Sequence, residues 1–253
     1  MNSIVAQRLV ELNRQFYQTF GSEFSATRGR IQPGVRKIMA QIGETEQILD
    51  LGCGNGNFAF ALAGSGFSGT YLGLDFSLPL LGDAAPLAEN PRFRFDVADL
   101  TSLTVNRSSL TENSPITNHQ LSPFPDHWSL ITCFATLHHI PSVELRLNIF
   151  RFVRQNLIPG GRFVLSNWQF LNSEKLKARI QPWETIGLSG ADVDPGDYLL
   201  DWRSGGSGLR YAHHFSAGEL TQMAAETGFR AVESFLSDGQ GGTLGLYQIW
   251  ETV

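Results

Sequence analysis

The stretch Ile48-Leu-Asp-Leu-Gly52-Cys-Gly54-Asn-Gly56-Asn57 decides the fold of this 253-residue chain, because an apolar run ends there in three closely spaced glycines. Residues 47–51 are typical of a buried strand, and the Ala- and Phe-rich residues 58–62 predict the start of a helix. A glycine turn between a strand and a helix lets a ligand approach the backbone and presents free N–H groups to it. The stretch therefore predicts a ligand site at a strand–turn–helix junction.

Strand and helix patterns alternate along the chain outside this junction. Short apolar runs predict further strands at 71–75, 92–96, 128–134, 162–168, 230–236 and 244–251, the last two as an antiparallel pair. Apolar residues at spacings of three and four predict helices at 5–20, 33–42, about 77–87, 142–157 and 216–227. The alternation predicts an α/β fold, with a mainly parallel sheet and helices on both faces.

The domain prediction is one unit over residues 1–253. Its predicted parts are an N-terminal helical cap at 1–44, a cofactor-binding core at 45–168, a substrate lid at 169–215, and a C-terminal helix and strand pair at 216–253. Residues 101–127 are rich in Ser, Thr, Asn and Pro and have little periodicity, which predicts a surface insertion within the core.

Composition narrows the class of protein. A charged fraction of 17% and a hydrophobic fraction of 42% are typical of a globular chain rather than a disordered one. A net charge of −5 argues against a DNA-binding protein, and no apolar run is long enough to span a membrane. Two cysteines, Cys53 and Cys133, are too few for a disulfide framework or a zinc site. We therefore expect a cytoplasmic protein with free thiols, no secretory signal and no metal site.

The spacing within the glycine turn distinguishes between ligands. It is G-x-G-x-G, whereas dinucleotide sites use G-x-G-x-x-G, and Asn57 stands where those sites have a third small residue. A carboxylate at Asp50 would repel a pyrophosphate but attract a ligand with ammonium and sulfonium charges. Asp75 ends the next strand, where a carboxylate can accept hydrogen bonds from both ribose hydroxyls. These features favour S-adenosylmethionine (SAM) over NAD, although a purely structural role for the two aspartates stays open.

Five motifs appear in order over residues 45–170: LDLGCGNG, LGLDFS, DVADL, LITCFATLHHI and LIPGGRFVLSNW. Together they resemble the successive motifs of the class I SAM-dependent methyltransferases. The resemblance implies a Rossmann-like, seven-stranded sheet that binds the cofactor between the first and fourth strands. It implies that the three glycines face the methionine part, Asp75 the ribose, and Phe134 the sulfonium. The full predicted cofactor set is Asp50, Gly52, Cys53, Gly54, Gly56, Asp75, Phe76, Asp96, Val97, Asp99 and Phe134, with Asp96, Val97 and Asp99 at the adenine.

Shorter segments outside the core resemble the wobble-uridine tRNA carboxymethyl methyltransferases. They are Leu12-Asn-x-x-Phe16-Tyr17, Phe24-Ser25-Ala-Thr27-Arg28, His138-His139, Asp197-Tyr198-Leu-Leu-x-Trp202 and Arg210-Tyr211-Ala-His213-His-Phe215. The resemblance implies an acceptor site made of Arg28, His138, His139, Arg210, Tyr211 and His213. In it the two arginines would hold an anionic group and Tyr211 would stack on a base. Ala212 and His214 depart from the family pattern, and three lysines are few for gripping tRNA.

The methyl acceptor is left open by the sequence. An anionic acceptor such as a carboxylate needs no base, whereas a neutral amine or hydroxyl needs one. The leading prediction is a modified tRNA uridine, with a small activating protein as a possible partner. The alternatives are a methyltransferase for a small organic metabolite and a protein that binds the cofactor without catalysis.

Overall fold

The computed structural model of the chain describes residues 1–26, 29–103 and 127–253. Its helices are α1 (Ser3–Ala26), α2 (Pro33–Met39), α3 (Asn57–Gly64), α4 (Leu78–Ala84), α5 (Val143–Asn156), α6 (Glu174–Lys177) and α7 (Ala217–Glu226). Its strands are β1 (Gln47–Leu51), β2 (Thr70–Asp75), β3 (Phe93–Val97), β4 (Trp128–Phe134), β5 (Leu157–Trp168), β6 (Ile180–Gln181), β7 (Asp197–Trp202), β8 (Gly208–His213), β9 (Phe229–Ser237) and β10 (Gly245–Thr252). The predicted insertion at 101–127 lies mostly outside the described residues.

Seven of the strands form one sheet in the order β3-β2-β1-β4-β5-β10-β9. The strands from β1 to β5 pair in parallel, and β10 runs antiparallel to both β5 and β9. The chain moves outward from β1 to β3 and then returns to place β4 on the other side of β1. Such a reversal opens a crevice at the carboxyl ends of β1 and β4, where α/β sheets bind their ligands.

Side chains of the central strands alternate between two apolar clusters, one on each face of the sheet. Leu49 and Leu51 lie in the cluster that contains residues of α5 and α7, and Ile48 lies in the cluster with residues of α2 and α3. Because both faces are covered, the central strands are apolar at nearly every position. The predicted fold class is confirmed: a mostly parallel seven-stranded sheet with helices on both faces.

Several element boundaries differ from the prediction. Helix α1 continues to Ala26 rather than ending at residue 20, and α4 ends at Ala84 rather than at about 87. Helix α2 ends at Met39 rather than at residue 42. Strand β5 begins at Leu157, not at 162, because Pro159-Gly160-Gly161, expected to stop the preceding helix, lies within the strand. The pairing of β5 with β4 is irregular there, between Trp128 and Leu130. Gly160 accommodates this irregularity with a positive φ of 77°.

Residues 169–215, predicted as a lid without regular period, contain a second sheet. Strands β6, β7 and β8 form it in that order, and all of its pairings are antiparallel. Strand β8 packs against α1. Among the helices in the described ranges, none has the combination of length and apolar character that crossing a membrane requires.

Candidate active site

The glycine turn after β1 has the conformation that its sequence predicts. Gly52 has φ of 76° and Gly54 has φ of 55°, a left-handed region that other residues rarely adopt. A Cβ atom on Gly52 would lie 2.3 Å from Oγ1 of Thr136, so a larger residue would clash there. A Cβ atom on Gly54 would meet no atom within 4 Å, which leaves the backbone open on that side. The turn is thus packed behind Gly52 and accessible at Gly54.

Asp75, at the end of β2, holds this turn in place. Its carboxylate accepts hydrogen bonds from the N–H groups of Gly54 and Ser77, both at 2.9 Å. Burial raises the pKa of Asp75 above its ordinary value, and the backbone donors oppose that rise. The carboxylate thus lies next to the open part of the glycine turn.

Asp50, near the end of β1, is buried with neutral partners. Its two oxygens accept hydrogen bonds from the hydroxyl of Tyr71 at 2.6 Å and from the hydroxyl of Thr132 at 2.7 Å. Burial raises its pKa from 3.8 to about 6. Within the described ranges no cationic side chain forms an ion pair with Asp50 or Asp75. The two carboxylates therefore give this edge of the cavity a negative potential that no cationic side chain of the described residues neutralises.

A cavity lies over this edge of the sheet. The predicted site residues that border it are Asp50, Gly52, Cys53, Gly54, Asp75, Phe76, Asp99, Phe134 and His139. The opposite wall comes from Val10, Asn13, Arg14 and Tyr17 of α1 and from residues 30–32 and 35. No residue of 169–215 lines it, so the N-terminal helices cover the cavity, while the small sheet packs behind α1. A lid role for 169–215 stays a prediction.

Three residues predicted to bind the cofactor lie off this cavity. Gly56 precedes α3 with φ of 74°, close to the Ala84 side chain. The Asp96 carboxylate pairs with the guanidinium of Arg94 at 2.7 Å, and Val97 packs against the apolar cluster on the α2 and α3 side. Asp99 borders the cavity.

Asp99 has partners on both of its carboxylate oxygens. Oδ1 accepts hydrogen bonds from the backbone N–H and the hydroxyl of Thr101, at 2.9 and 2.7 Å. Oδ2 lies 2.5 Å from Nη2 of Arg14, on the opposite wall. This carboxylate therefore joins the segment after β3 to α1 at the cavity.

His139 and Tyr17 form a polar pair on the cavity wall. The Tyr17 hydroxyl lies 2.8 Å from Nε2 of His139, and Nδ1 of the same ring lies 3.2 Å from the carbonyl oxygen of Tyr211. A carbonyl oxygen accepts hydrogen bonds and never donates them, so Nδ1 carries the proton. In the neutral ring Nε2 is then an acceptor, and the Tyr17 hydroxyl donates to it. The lone pair of Nε2 is thus directed at a group that borders the cavity.

The other residues predicted at the acceptor lie elsewhere or outside the described residues. Arg28 falls outside them. His138 is buried, and its Nδ1 accepts the Trp168 backbone N–H at 3.4 Å. Arg210 is buried among aromatic rings, with its guanidinium carbon 4.8 to 5.5 Å from the ring centroids of Phe16, Trp168 and Trp202. Tyr211 and His213 belong to a buried polar network.

That network, here the Arg146 network, consists of Arg146, Asp197, Tyr211, His213 and Glu219. The Asp197 oxygen Oδ1 lies 2.5 Å from the Tyr211 hydroxyl, 2.7 Å from Nδ1 of His213 and 3.3 Å from Nη2 of Arg146. Arg146 is fully buried and also donates to the Tyr211 hydroxyl at 2.7 Å. Glu219 contacts the other nitrogen of His213 at 2.9 Å. The network joins the small sheet to α5 and α7 and does not border the cavity.

Two further sequence expectations concern thiols and metals. Cys53 and Cys133 are free and buried, and burial raises the pKa of both thiols. In the described part of the chain, no group of three or more His, Cys, Asp or Glu side chains has an arrangement that could hold a metal ion.

The fold and this geometry agree with the comparison with known families. A family model described as a methyltransferase domain matches residues 24–234. The chain belongs to the methyltransferase domain family. This membership confirms the enzyme class predicted from the sequence and, at the level of the family, the cofactor SAM. The tRNA carboxymethyl subgroup is a finer prediction that the family match does not address.

Relatives of this methyltransferase chain are distant. It is 25% identical over 149 residues to the probable methyltransferase ltbC of Aspergillus luteorubrus, a match that covers 58% of this chain and about half, 48%, of that protein. Among solved structures, a SAM-dependent methyltransferase from Methanosarcina mazei is 20% identical, with 88% of this chain and 98% of that chain covered and a TM-score of 0.63. The DhpI–SAM–HEP complex is 18% identical, with 96% and 97% covered and a TM-score of 0.65. At identities of 18% and 20%, the similarity to these solved structures shows the fold alone.

Proposed function

We propose that this protein transfers the methyl group of SAM to a hydroxyl or amine of a small organic molecule, with His139 as the general base. The observation that carries the proposal is the His139–Tyr17 pair, which borders the same cavity as Asp75 and the glycine turn. An acceptor that had no proton to lose would need neither an oriented imidazole nor a phenol hydroxyl at this place.

The donor side of the cavity fits SAM by its charge and its open backbone. Asp75 would hold the ribose hydroxyls, and the backbone at Gly54 would lie against the methionine part, where no Cβ atom intervenes. Asp50 carries a negative charge above about pH 6 and, within the described residues, has no counterion of its own. When bound, SAM supplies an electrophilic methyl group on a cationic sulfur. Acidic side chains suit such a ligand and would disfavour a pyrophosphate.

On the acceptor side, the chain's own residues would move one proton. The Tyr17 hydroxyl takes the proton from the acceptor oxygen or nitrogen while its own proton passes to Nε2 of His139. The acceptor then gains the methyl group and carries no extra charge, and His139 becomes an imidazolium. The Tyr211 carbonyl stabilises that imidazolium through its bond to Nδ1–H. A base positioned in this way typically contributes 10²- to 10⁴-fold to a rate.

The test combines His139→Gln and Tyr17→Phe with labelled SAM and a pool of small hydroxyl- and amine-bearing metabolites. We expect labelled product with the wild type, a roughly 10²- to 10⁴-fold lower kcat with His139→Gln, and unchanged SAM affinity by calorimetry. His127→Gln, at an exposed histidine away from the cavity, serves as the control and should be fully active. Full turnover by His139→Gln would refute the base role.

A modified tRNA uridine is the alternative acceptor, as the sequence resemblance implies. Total tRNA, with and without a cell extract that supplies a small activating protein, is therefore a second arm of the experiment. A carboxylate acceptor needs no base, so the His139→Gln variant should methylate a tRNA carboxylate at the same rate as the wild type. SAM binding without labelled product in either pool is the result expected of a non-catalytic partner protein.

A further inference from the structure

We infer that Asn13 of α1 is a positioning residue that fixes which nitrogen of His139 carries the proton. It acts through the backbone carbonyl of Tyr211, which contacts both side chains. The inference rests on the proposed role of His139 as the base and adds a residue that the motifs do not assign.

The first step is the edge of the small sheet. Strand β8 lies at that edge, and Tyr211 is paired with Leu199 of β7. The N–H of Tyr211 donates to Oδ1 of Asn13 at 2.8 Å, and the carbonyl of Tyr211 accepts from Nδ2 of Asn13 at 3.1 Å. Both backbone groups of Tyr211 therefore point away from β7, as in a non-hydrogen-bonded pair of an antiparallel ladder. The Asn13 amide takes the place that a further strand would occupy.

The second step is the remaining hydrogen of the Asn13 amide. Nδ2 also donates to the backbone carbonyl of His139 at 2.9 Å. An asparagine side chain has two N–H donors and a carbonyl acceptor, so each donor serves one carbonyl, and its own oxygen serves the Tyr211 N–H. Asn13 is 95% buried, with 5% of its surface exposed, so water competes little for these bonds. Asn13 thus holds the backbones of Tyr211 and His139 in one fixed relation.

The third step is the second lone pair of the Tyr211 carbonyl. One lone pair accepts from Asn13, which leaves the other for Nδ1 of His139 at 3.2 Å. The direction of that carbonyl sets the Nδ1–H tautomer and leaves Nε2 to accept from Tyr17. The Tyr211 side chain is anchored at its other end by Asp197 and Arg146. The residue is therefore fixed from both sides, and Asn13 provides the link nearest to the base.

Asn13→Asp is the sharpest variant, because aspartate has nearly the same shape and keeps an acceptor for the Tyr211 N–H while losing both donated bonds. Asn13→Ala carries the same test without a new charge, in case the aspartate variant folds poorly. Asn148→Asp is the matched control, since Asn148 is exposed on α5 and its oxygen accepts a bond from Arg151 that aspartate can keep.

The readout is the ¹⁵N NMR shift of the His139 ring nitrogens above the pH at which the ring is neutral, assigned by comparison with His139→Gln. We expect the wild type and Asn148→Asp to show the Nδ1–H tautomer, and both Asn13 variants to show a substantial Nε2–H fraction. Turnover of the Asn13 variants should fall on the order of ten- to a hundredfold in kcat, as for other residues that orient a functional imidazole, with KM for SAM unchanged.

The outcomes separate this inference from the proposed function. An unchanged Nδ1–H tautomer in a folded Asn13 variant would overturn the positioning role, whatever the turnover. A changed tautomer with wild-type kcat would support the positioning role and reject His139 as the base. A loss of thermal stability without a change of tautomer would show that Asn13 only packs α1 against β8, and would also overturn the inference.

Discussion

Two of the buried carboxylates, Asp197 and Asp50, have their charges balanced in opposite ways. Asp197, at the start of β7, contacts the fully buried guanidinium of Arg146 and the ring of His213. Asp50, near the end of β1, contacts two hydroxyl groups and forms no ion pair within the described residues. Burial accordingly raises the pKa of Asp50 to about 6. Asp197 is compensated by the chain itself, whereas Asp50 borders the cavity without such compensation.

This difference separates structural from functional burial of charge. A buried charge is unfavourable unless a partner compensates it. Where the chain supplies the partner, as in the Arg146 network, the carboxylate joins elements of the fold. Where the described residues supply no cation, as at Asp50 and Asp75, a cationic ligand can supply the missing charge. The comparison predicts that variants in the two places damage different properties, stability in one and donor binding in the other.

The largest expected effect is on stability, from Arg146→Met. The variant leaves Asp197 buried without its cation, so we expect the free energy of unfolding to fall by about 3–5 kcal/mol. Urea denaturation followed by circular dichroism measures this. Arg151→Met on the same helix is the control, because its ion pair with Glu144 is exposed and should contribute less than about 1 kcal/mol. Equal, small losses in both variants would contradict the structural role of the network.

A smaller effect, on donor binding, is expected from Asp75→Ala. Two hydrogen bonds to the ribose would be lost, so SAM affinity should weaken by about 1.5–3 kcal/mol in calorimetry. Because Asp75 also accepts hydrogen bonds from the backbone N–H groups of Gly54 and Ser77, circular dichroism of the variant must match the wild type before the two affinities are compared. Glu89→Ala, at an exposed carboxylate, is the comparison variant and should bind normally. Wild-type affinity in Asp75→Ala would remove this carboxylate from the donor site.

The smallest effect is a pH dependence. Asp50 must be ionised to attract a cation, and its pKa in the free protein is about 6, so SAM should bind roughly tenfold more weakly at pH 5 than at pH 8. Asp50→Asn should flatten much of this slope, leaving the part that Asp75 contributes. Titration calorimetry at both pH values measures the change. An equally steep slope in the variant would assign the dependence to another group.

The raised pKa of Asp50 also determines how its contribution to folding stability changes with pH. Because the Asp50 pKa is higher in the folded chain than its ordinary 3.8, the folded state holds this proton more tightly. The contribution of Asp50 to stability is therefore present below about pH 4 and is lost as the pH rises through about 6. The difference between the wild type and Asp50→Asn in denaturation experiments should follow this window.

Local signals explain what could be predicted from the sequence. The glycine turn, Asp50 and Asp75 are each tied to a strand end, and parallel strands bring their carboxyl ends to one edge. The apolar runs of β1, β2 and β4 predict the buried strands of the sheet, because each run is a local feature of the sequence. These features depend on neighbours in the sequence, so pattern and spacing were sufficient to predict the fold and to bring the glycine turn, Asp50 and Asp75 to one edge of the sheet.

The acceptor side depends on contacts between distant parts of the chain. Asn13 meets Tyr211 across 198 positions, and Tyr17 meets His139 across 122, so the separate segments that contain these residues do not indicate that they are in contact. Strand β8 was not predicted, because the glycines at 190–206 that precede it interrupt the alternating pattern typical of strands. Once it is recognised, alternation explains why Arg210 and Tyr211 do not share a pocket, because neighbouring residues of a strand point to opposite faces. The burial of Arg146 could not be predicted from the sequence, since a cationic side chain on an amphipathic helix normally faces water.

The contact between Asn13 and β8 also bears on how the chain assembles. An uncovered strand edge is a template on which another polypeptide can pair, and here a side chain from the N-terminal helix occupies the edge at Tyr211. The edge strand β8 of the small sheet is therefore open to pairing with another strand until α1 packs against it. During synthesis or partial unfolding, detachment of that helix would expose this edge for pairing with another chain.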